Sequence, residues 1–150
     1  MTQEDKELLL RDLSARLPYR TYVKTTKGIG YVYAINTSQL VELSVANDSE
    51  YWSEVFNINE IKPYLLPMSS MTEEEFVYFM GLKGRNLSHH DIRQMMKETF
   101  NMPNLMAIVT QLYDYLHKMD WLLSKHFDVR GLIERSLAIA VTEENNPYKK

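Results

Sequence analysis

The chain has 150 residues, about one domain's worth, and its 45% hydrophobic and 25% charged content argues against wholesale disorder. With 17 basic and 20 acidic residues the net charge is −3, so no global field draws it to DNA or to an anionic membrane. Cysteine is absent, which removes disulfides, thiolate metal sites and a thiol nucleophile and fits a cytoplasmic setting. No apolar run reaches the ~18 residues that a membrane helix needs, and the stretch from Met1 to Arg11 is too acidic to read as a signal peptide.

Residues 3–16 read as an amphipathic helix. Thr2 can cap it, Glu4 and Asp5 suit its positive end, Leu9, Leu10 and Leu13 share a face, and Pro18 stops it. From Tyr19 to Asn57 the pattern changes to short alternating runs rich in Tyr, Val, Ile and Thr, with strands expected at 19–25, 30–36, 39–45 and 51–56. Connections this short make successive strands antiparallel, because a parallel crossover needs a dozen or more residues. A small meander curling into a partly closed, SH3-like barrel is the expected outcome.

Glu60–Pro67, with prolines at 63 and 67, reads as the hinge of the chain. Beyond it the pattern is helical. Thr72-Glu73-Glu74-Glu75 is a capping box that opens a helix to about Met80, and Gly81 and Gly84 end it in a loop. Ser88 and Asp91 start a second helix lined inside by Ile92, Met95, Met96 and Phe100. Pro103 starts a third, with Leu105, Ile108, Val109, Leu112, Leu116, Met119 and Leu123 on one stripe, ending near Lys125-His126. Residues 129–141 fit either a helix or a strand, and 143–150 read as a frayed polar tail. The fold class is therefore α+β: an N-terminal helix and a small barrel-like sheet over 1–68, then a helical half over 69–150, packed together.

Three stretches, Glu4–Tyr19, Glu60–Glu75 and Asp120–Ile133, resemble a family of small uncharacterised proteins from anaerobic gut bacteria, their phages and mobile elements. The resemblance spans nearly the whole chain and implies no catalytic role. Three positions depart from the family's pattern. Arg20 stands where glycine often follows Pro-Tyr, Lys125 stands where a second histidine often precedes His126, and Val129 replaces an aromatic before Arg130-Gly131.

Five residue sets are candidates for chemistry or binding. His117 and Asp120, three apart on a helix, form an imidazole–carboxylate pair that His126 and Asp128 could join as catalytic or metal-holding groups. Their spacing matches no mechanistically understood ligand motif, and a solvated helix pair with helix-end contacts is the simpler and favoured reading, so no metal or other cofactor is expected. The adjacent His89 and His90 point too far apart on a helix to share a metal. Lys83, Arg85, Arg93 and Lys97, less Asp91, leave +3 over residues 83–97, a patch able to contact nucleic-acid phosphates. Tyr31, Tyr33, Tyr51 and Trp52 could stack bases or a peptide, or serve as cross-strand pairs. Methionine crowds the helices, where Met95, Met96, Met102 and Met106 either fill the core or line an adaptable partner groove. Glycine-rich phosphate loops and nucleophile elbows are absent. Together these features read as a non-enzymatic interaction protein that docks a protein partner, or itself as a homo-oligomer, through the methionine-rich helices and the sheet edge. The alternatives are a nucleic-acid-binding accessory factor of a phage or mobile element and a metal-dependent enzyme.

Overall fold

A computed structural model of the chain describes residues 1–36, 42–47, 52–82, 84–100 and 112–149. The first helix forms where its cap lies, as α1 (Gln3–Arg16). Thr2 Oγ1 accepts from the Asp5 N–H at 3.1 Å while the Asp5 carboxylate accepts from the Thr2 N–H at 3.2 Å, so two otherwise orphaned donors are satisfied. Leu17–Tyr19 then makes one tight 3-10 turn, and Arg20 reverses the chain with a left-handed φ of 54°. The strand expected from Tyr19 consequently begins later, as β1 (Tyr22–Lys24).

β2 (Ile29–Asn36), β3 (Glu42–Asn47) and β4 (Trp52–Asn57) continue the antiparallel meander, with Tyr22 opposite Tyr31, Val32 opposite Val45 and Leu43 opposite Phe56. A register shift between Val32 and Ala34 interrupts the β2–β3 ladder. The expected hinge contains a further strand, β5 (Lys62–Leu65), whose Lys62 and Pro63 pair antiparallel with β1. Its Tyr64 and Leu65 pair in parallel with β6 (Ile139–Ala140). The strand order is β4-β3-β2-β1-β5-β6, which leaves β4 and β6 at opposite edges. The sheet is therefore open and not a closed barrel. The edge of β1 that closure would require is taken by β5, and the other side of β5 by β6.

Between β5 and β6 lie the helices, the long connection that a parallel pairing requires. α2 (Glu73–Phe79) starts on the expected box, with Thr72 and Glu75 capping each other, and α3 (His89–Phe100) starts on Ser88 and Asp91. α4 (Leu112–Ser124) covers the later part of the expected third helix. The start expected at Pro103, with Leu105, Ile108 and Val109, lies outside the described residues. Leu116, expected on the inner stripe, is 58% exposed, and Leu122 and Leu123 are buried. Residues 129–141 are mainly turns that lead into β6. No described helix is long and apolar enough to cross a membrane.

Two apolar clusters hold these elements. In the first, Leu9 and Leu13 of α1 pack on the inner face of the sheet at Val23, Val32, Phe56 and Leu65, together with Leu132 and Leu137. In the second, Met71, Phe76, Phe79 and Leu82 pack on Leu122 and Phe127. Each such side chain, removed from water, contributes about 1.5–3 kcal/mol. Residues 132–138 come from the later half of the chain yet complete the first cluster. The tail is held rather than frayed. Asn145 accepts from the Thr142 N–H at 2.7 Å and donates to the Ala140 carbonyl at 3.0 Å, and the Tyr148 hydroxyl donates to the Tyr64 carbonyl at 2.7 Å.

Candidate functional site

A buried polar centre joins the two clusters. Asp12 and Arg16 lie one turn apart on the same side of α1 as Leu9 and Leu13, and both are fully buried. Arg16 Nε donates to Asp12 at 2.6 Å and Nη2 at 3.2 Å, while Arg130 Nη1 donates to the same carboxylate at 2.8 Å. The other side of the Arg16 guanidinium meets the end of α4, donating to the Phe127 carbonyl at 2.6 Å and the Leu123 carbonyl at 3.4 Å. A fixed cation thus sits against the negative end of a helix, and it fastens α1 to α4.

α4 itself ends in a Schellman arrangement. The Phe127 N–H reaches the Leu122 carbonyl at 3.0 Å and the His126 N–H reaches the Leu123 carbonyl at 3.0 Å, with His126 left-handed at φ 62°. The His126 ring stacks on Tyr148, centroids 3.9 Å apart at 14°, and its Nδ1 lies 3.4 Å from Thr21 Oγ1. Burial, then the nearby Arg16 charge, pulls its pKa down to about 4. The ring is neutral at pH 7, so Arg16, not His126, supplies the positive charge at this helix end.

The four residues read as a catalytic or metal-holding set are not assembled. His117 and Asp120 share a groove of about 400 Å³ that Tyr78, Phe79, Lys118 and Trp121 also line. Asp120 accepts a hydrogen bond from the Tyr19 hydroxyl, which raises the pKa of that phenol. His126 faces Tyr148 and Thr21 instead. Asp128 is buried and accepts from the Leu132 and Ile133 N–H groups, both at 2.9 Å, fixing the turn that follows. Among the described residues no three His, Asp or Glu side chains are grouped to hold a metal ion.

The groove lies between α2 and α4 and is floored by rings. Trp121 is 5.4 Å from Tyr78, 6.2 Å from Phe79 and 6.1 Å from Phe127, centroid to centroid, and Tyr78 is 62% exposed. Tyr78 and Trp121 were not singled out by spacing or motif. The available signal was an aromatic on the polar side of each helix.

The basic segment has less charge to offer than its sequence indicates. Glu73 of α2 receives Arg93 Nε at 2.5 Å and contacts His89 Nδ1 at 2.6 Å, and these two bonds lower the Glu73 pKa. Arg85 and Lys97 are exposed, and Lys83 lies outside the described residues. Met95 and Met96 are half-buried against the second cluster. Met102 and Met106 lie outside the described residues, as does Tyr51.

No family model, curated protein or solved structure matches the chain.

Proposed function

We propose that this protein is a non-enzymatic interaction module of the cytoplasm that docks a protein partner, or a second copy of itself, on the groove between α2 and α4. The observation that carries this reading is Tyr78. It is a large ring, 62% exposed, laid against Trp121 at the rim of a groove of about 400 Å³, with Leu116 exposed on the same wall-forming helix. Tyrosine and tryptophan in a partly formed pocket are the side chains that most often dominate binding energy at protein interfaces. The small meander, SH3-like in its short strands, serves in this reading as the platform that holds α1 and, through Arg16, α4 in place.

Two observations weigh against the alternatives. A metal-dependent enzyme built on His117, Asp120, His126 and Asp128 has its groups spent on separate tasks. A nucleic-acid accessory factor of a phage or mobile element, acting through residues 83–97, has Arg93 and His89 already engaged by Glu73.

The test is Tyr78→Glu, a change at an exposed site that leaves both clusters intact. Light scattering across protein concentration reads self-association, and affinity capture from the source cell reads a foreign partner. The expected result is an association in one of the two assays that Tyr78→Glu abolishes. Association that persists unchanged in the variant, or a monomer that captures nothing, overturns the reading.

A further inference from the structure

The sheet has a second face, opposite α1. Alternation along the strands and the pairing of Tyr22 with Tyr31, Lys24 with Ile29 and Lys24 with Lys62 put these side chains together on it. Tyr33 follows on the same side of β2, its hydroxyl 2.8 Å from that of Ser53, and Val55 continues the row on β4. The side chains that cover the inner face (Leu9, Leu13, Leu132, Leu137) are all in the first cluster, and on the outer face the Tyr148 ring of the tail packs edge-on against Tyr22, centroids 5.4 Å apart. Tyr33 is 52% exposed and Val55 54%.

Its chemistry is not that of a plain apolar patch. Lys24 and Lys62 are exposed side by side on adjacent strands with no carboxylate partner among the described residues. Arg20 lays its guanidinium 4.0 Å from the centroid of the Tyr31 ring. Arg20 does so from the left-handed position that ends the 3-10 turn. A cationic rim around a row of rings on an open sheet complements a polyanion that carries flat, unpaired bases. It does not complement a duplex, whose bases are stacked on one another.

We infer that the outer face of the sheet, at Arg20, Lys24, Tyr31, Tyr33 and Lys62, binds single-stranded nucleic acid, with bases stacked on Tyr33 and on the Arg20–Tyr31 pair and phosphates on Lys24 and Lys62. This site is separate from the α2–α4 groove and from residues 83–97, and neither is needed for it.

The probe is a fluorescein-labelled deoxythymidine oligomer of about 20 nucleotides, long enough to span a single-strand site, titrated with the full chain and read by anisotropy. Two phosphate-contacting lysines on a single strand give a log–log salt slope of about −1.4, so binding weakens roughly sevenfold when salt rises about fourfold. Tyr33→Ala should weaken binding about tenfold, within the range for losing one stacked base. Lys24→Glu with Lys62→Glu should remove it and flatten the salt slope, with circular dichroism reporting that both variants stay folded. No anisotropy change at about 100 µM protein, weak even for non-specific binding, overturns the inference. So does an equally tight complex with a duplex of the same length, or loss on Arg85→Glu and Lys97→Glu while the sheet variants bind normally. Self-association that the sheet variants alter while the oligomer stays unbound reassigns the face to a protein contact.

Discussion

Removing the Asp12 carboxylate isolates the strongest electrostatic feature of the fold. The carboxylate takes three hydrogen bonds, two from Arg16 and one from Arg130, and neither Asp12 nor Arg16 has any contact with solvent. Asp12→Ala therefore leaves a guanidinium buried without its counter-ion, a change that costs about 3–5 kcal/mol. Set against a total stability of about 5–15 kcal/mol, that is enough to bring the variant near its unfolding threshold. Arg16→Met removes the cation and leaves the buried Asp12 carboxylate with Arg130 as its one remaining partner, at up to about 3–5 kcal/mol, while the Phe127 and Leu123 carbonyls keep the Val129 and His126 N–H groups at 3.0 Å. In Asp12→Ala/Arg16→Met neither of the two fully buried charges remains, and the cost falls back to about that of the lost packing and of the bonds Arg16 gave the two carbonyls. The double variant should thus be no worse than Asp12→Ala, with a coupling of roughly 3 kcal/mol. Arg130→Ala, which removes a partly exposed partner and one bond, should cost about 1 kcal/mol. Urea denaturation followed by circular dichroism at pH 7 measures all four. Single effects that add to within about 0.5 kcal/mol in the double variant would show that the two charges do not stabilise one another, and would refute the reasoning.

His126 should make stability depend on pH. Its folded pKa of about 4 lies below the ordinary 6.5, so the unfolded chain holds the proton more tightly, and the stability tied to the neutral ring is complete above about pH 6.5 and lost as pH falls toward 4. Roughly 2 kcal/mol should go by pH 5. His126→Asn, which keeps a residue tolerant of the left-handed cap, should lose that part of the slope, and identical slopes in both proteins would discount the histidine. Tyr148→Phe keeps the stack on His126 and orphans the Tyr64 carbonyl, so it should cost about 1–2 kcal/mol in the same urea assay. Tyr148→Ala should cost at least 2 kcal/mol more by also deleting the ring, and a variant as stable as the parent would mean that the tail does not hold the sheet.

How much of this was legible in the sequence depended on whether the signal was local. The caps at Thr2, Thr72 and Ser88 are sidechain–backbone exchanges within four residues, and all three appear as read. β2, β3 and β4 alternate along enough residues to be recognised. β5 did not, because Pro63 and Pro67 read as breaks, although a strand can carry a proline where pairing switches from one neighbour to the next. β6 is two residues long, and its identity comes entirely from Tyr64 and Leu65 beside it. The Asp12–Arg16 pair was overlooked although its clue was present: residues 9, 12, 13 and 16 form one helical stripe, and two of the four are charged. Charges on a buried stripe signal a partner elsewhere, and Phe127 and Arg130 are more than a hundred positions away. The +3 over residues 83–97 was a sum along the chain, and the acid that offsets it comes from another helix.

The place of β6 in the sheet bears on how the protein is made. Tyr64 has neither its strand neighbour at Ile139 nor the hydrogen bond from Tyr148, 84 positions on, until that distant segment exists. During synthesis α1 and the first four strands emerge early, yet their apolar face still awaits Leu132 and Leu137 and one edge of β5 stays unpaired. The nascent chain must therefore carry an incomplete sheet through the whole period in which the helices are being translated. Ribosome-bound intermediates stalled before residue 132 should accordingly be the species that most need a chaperone.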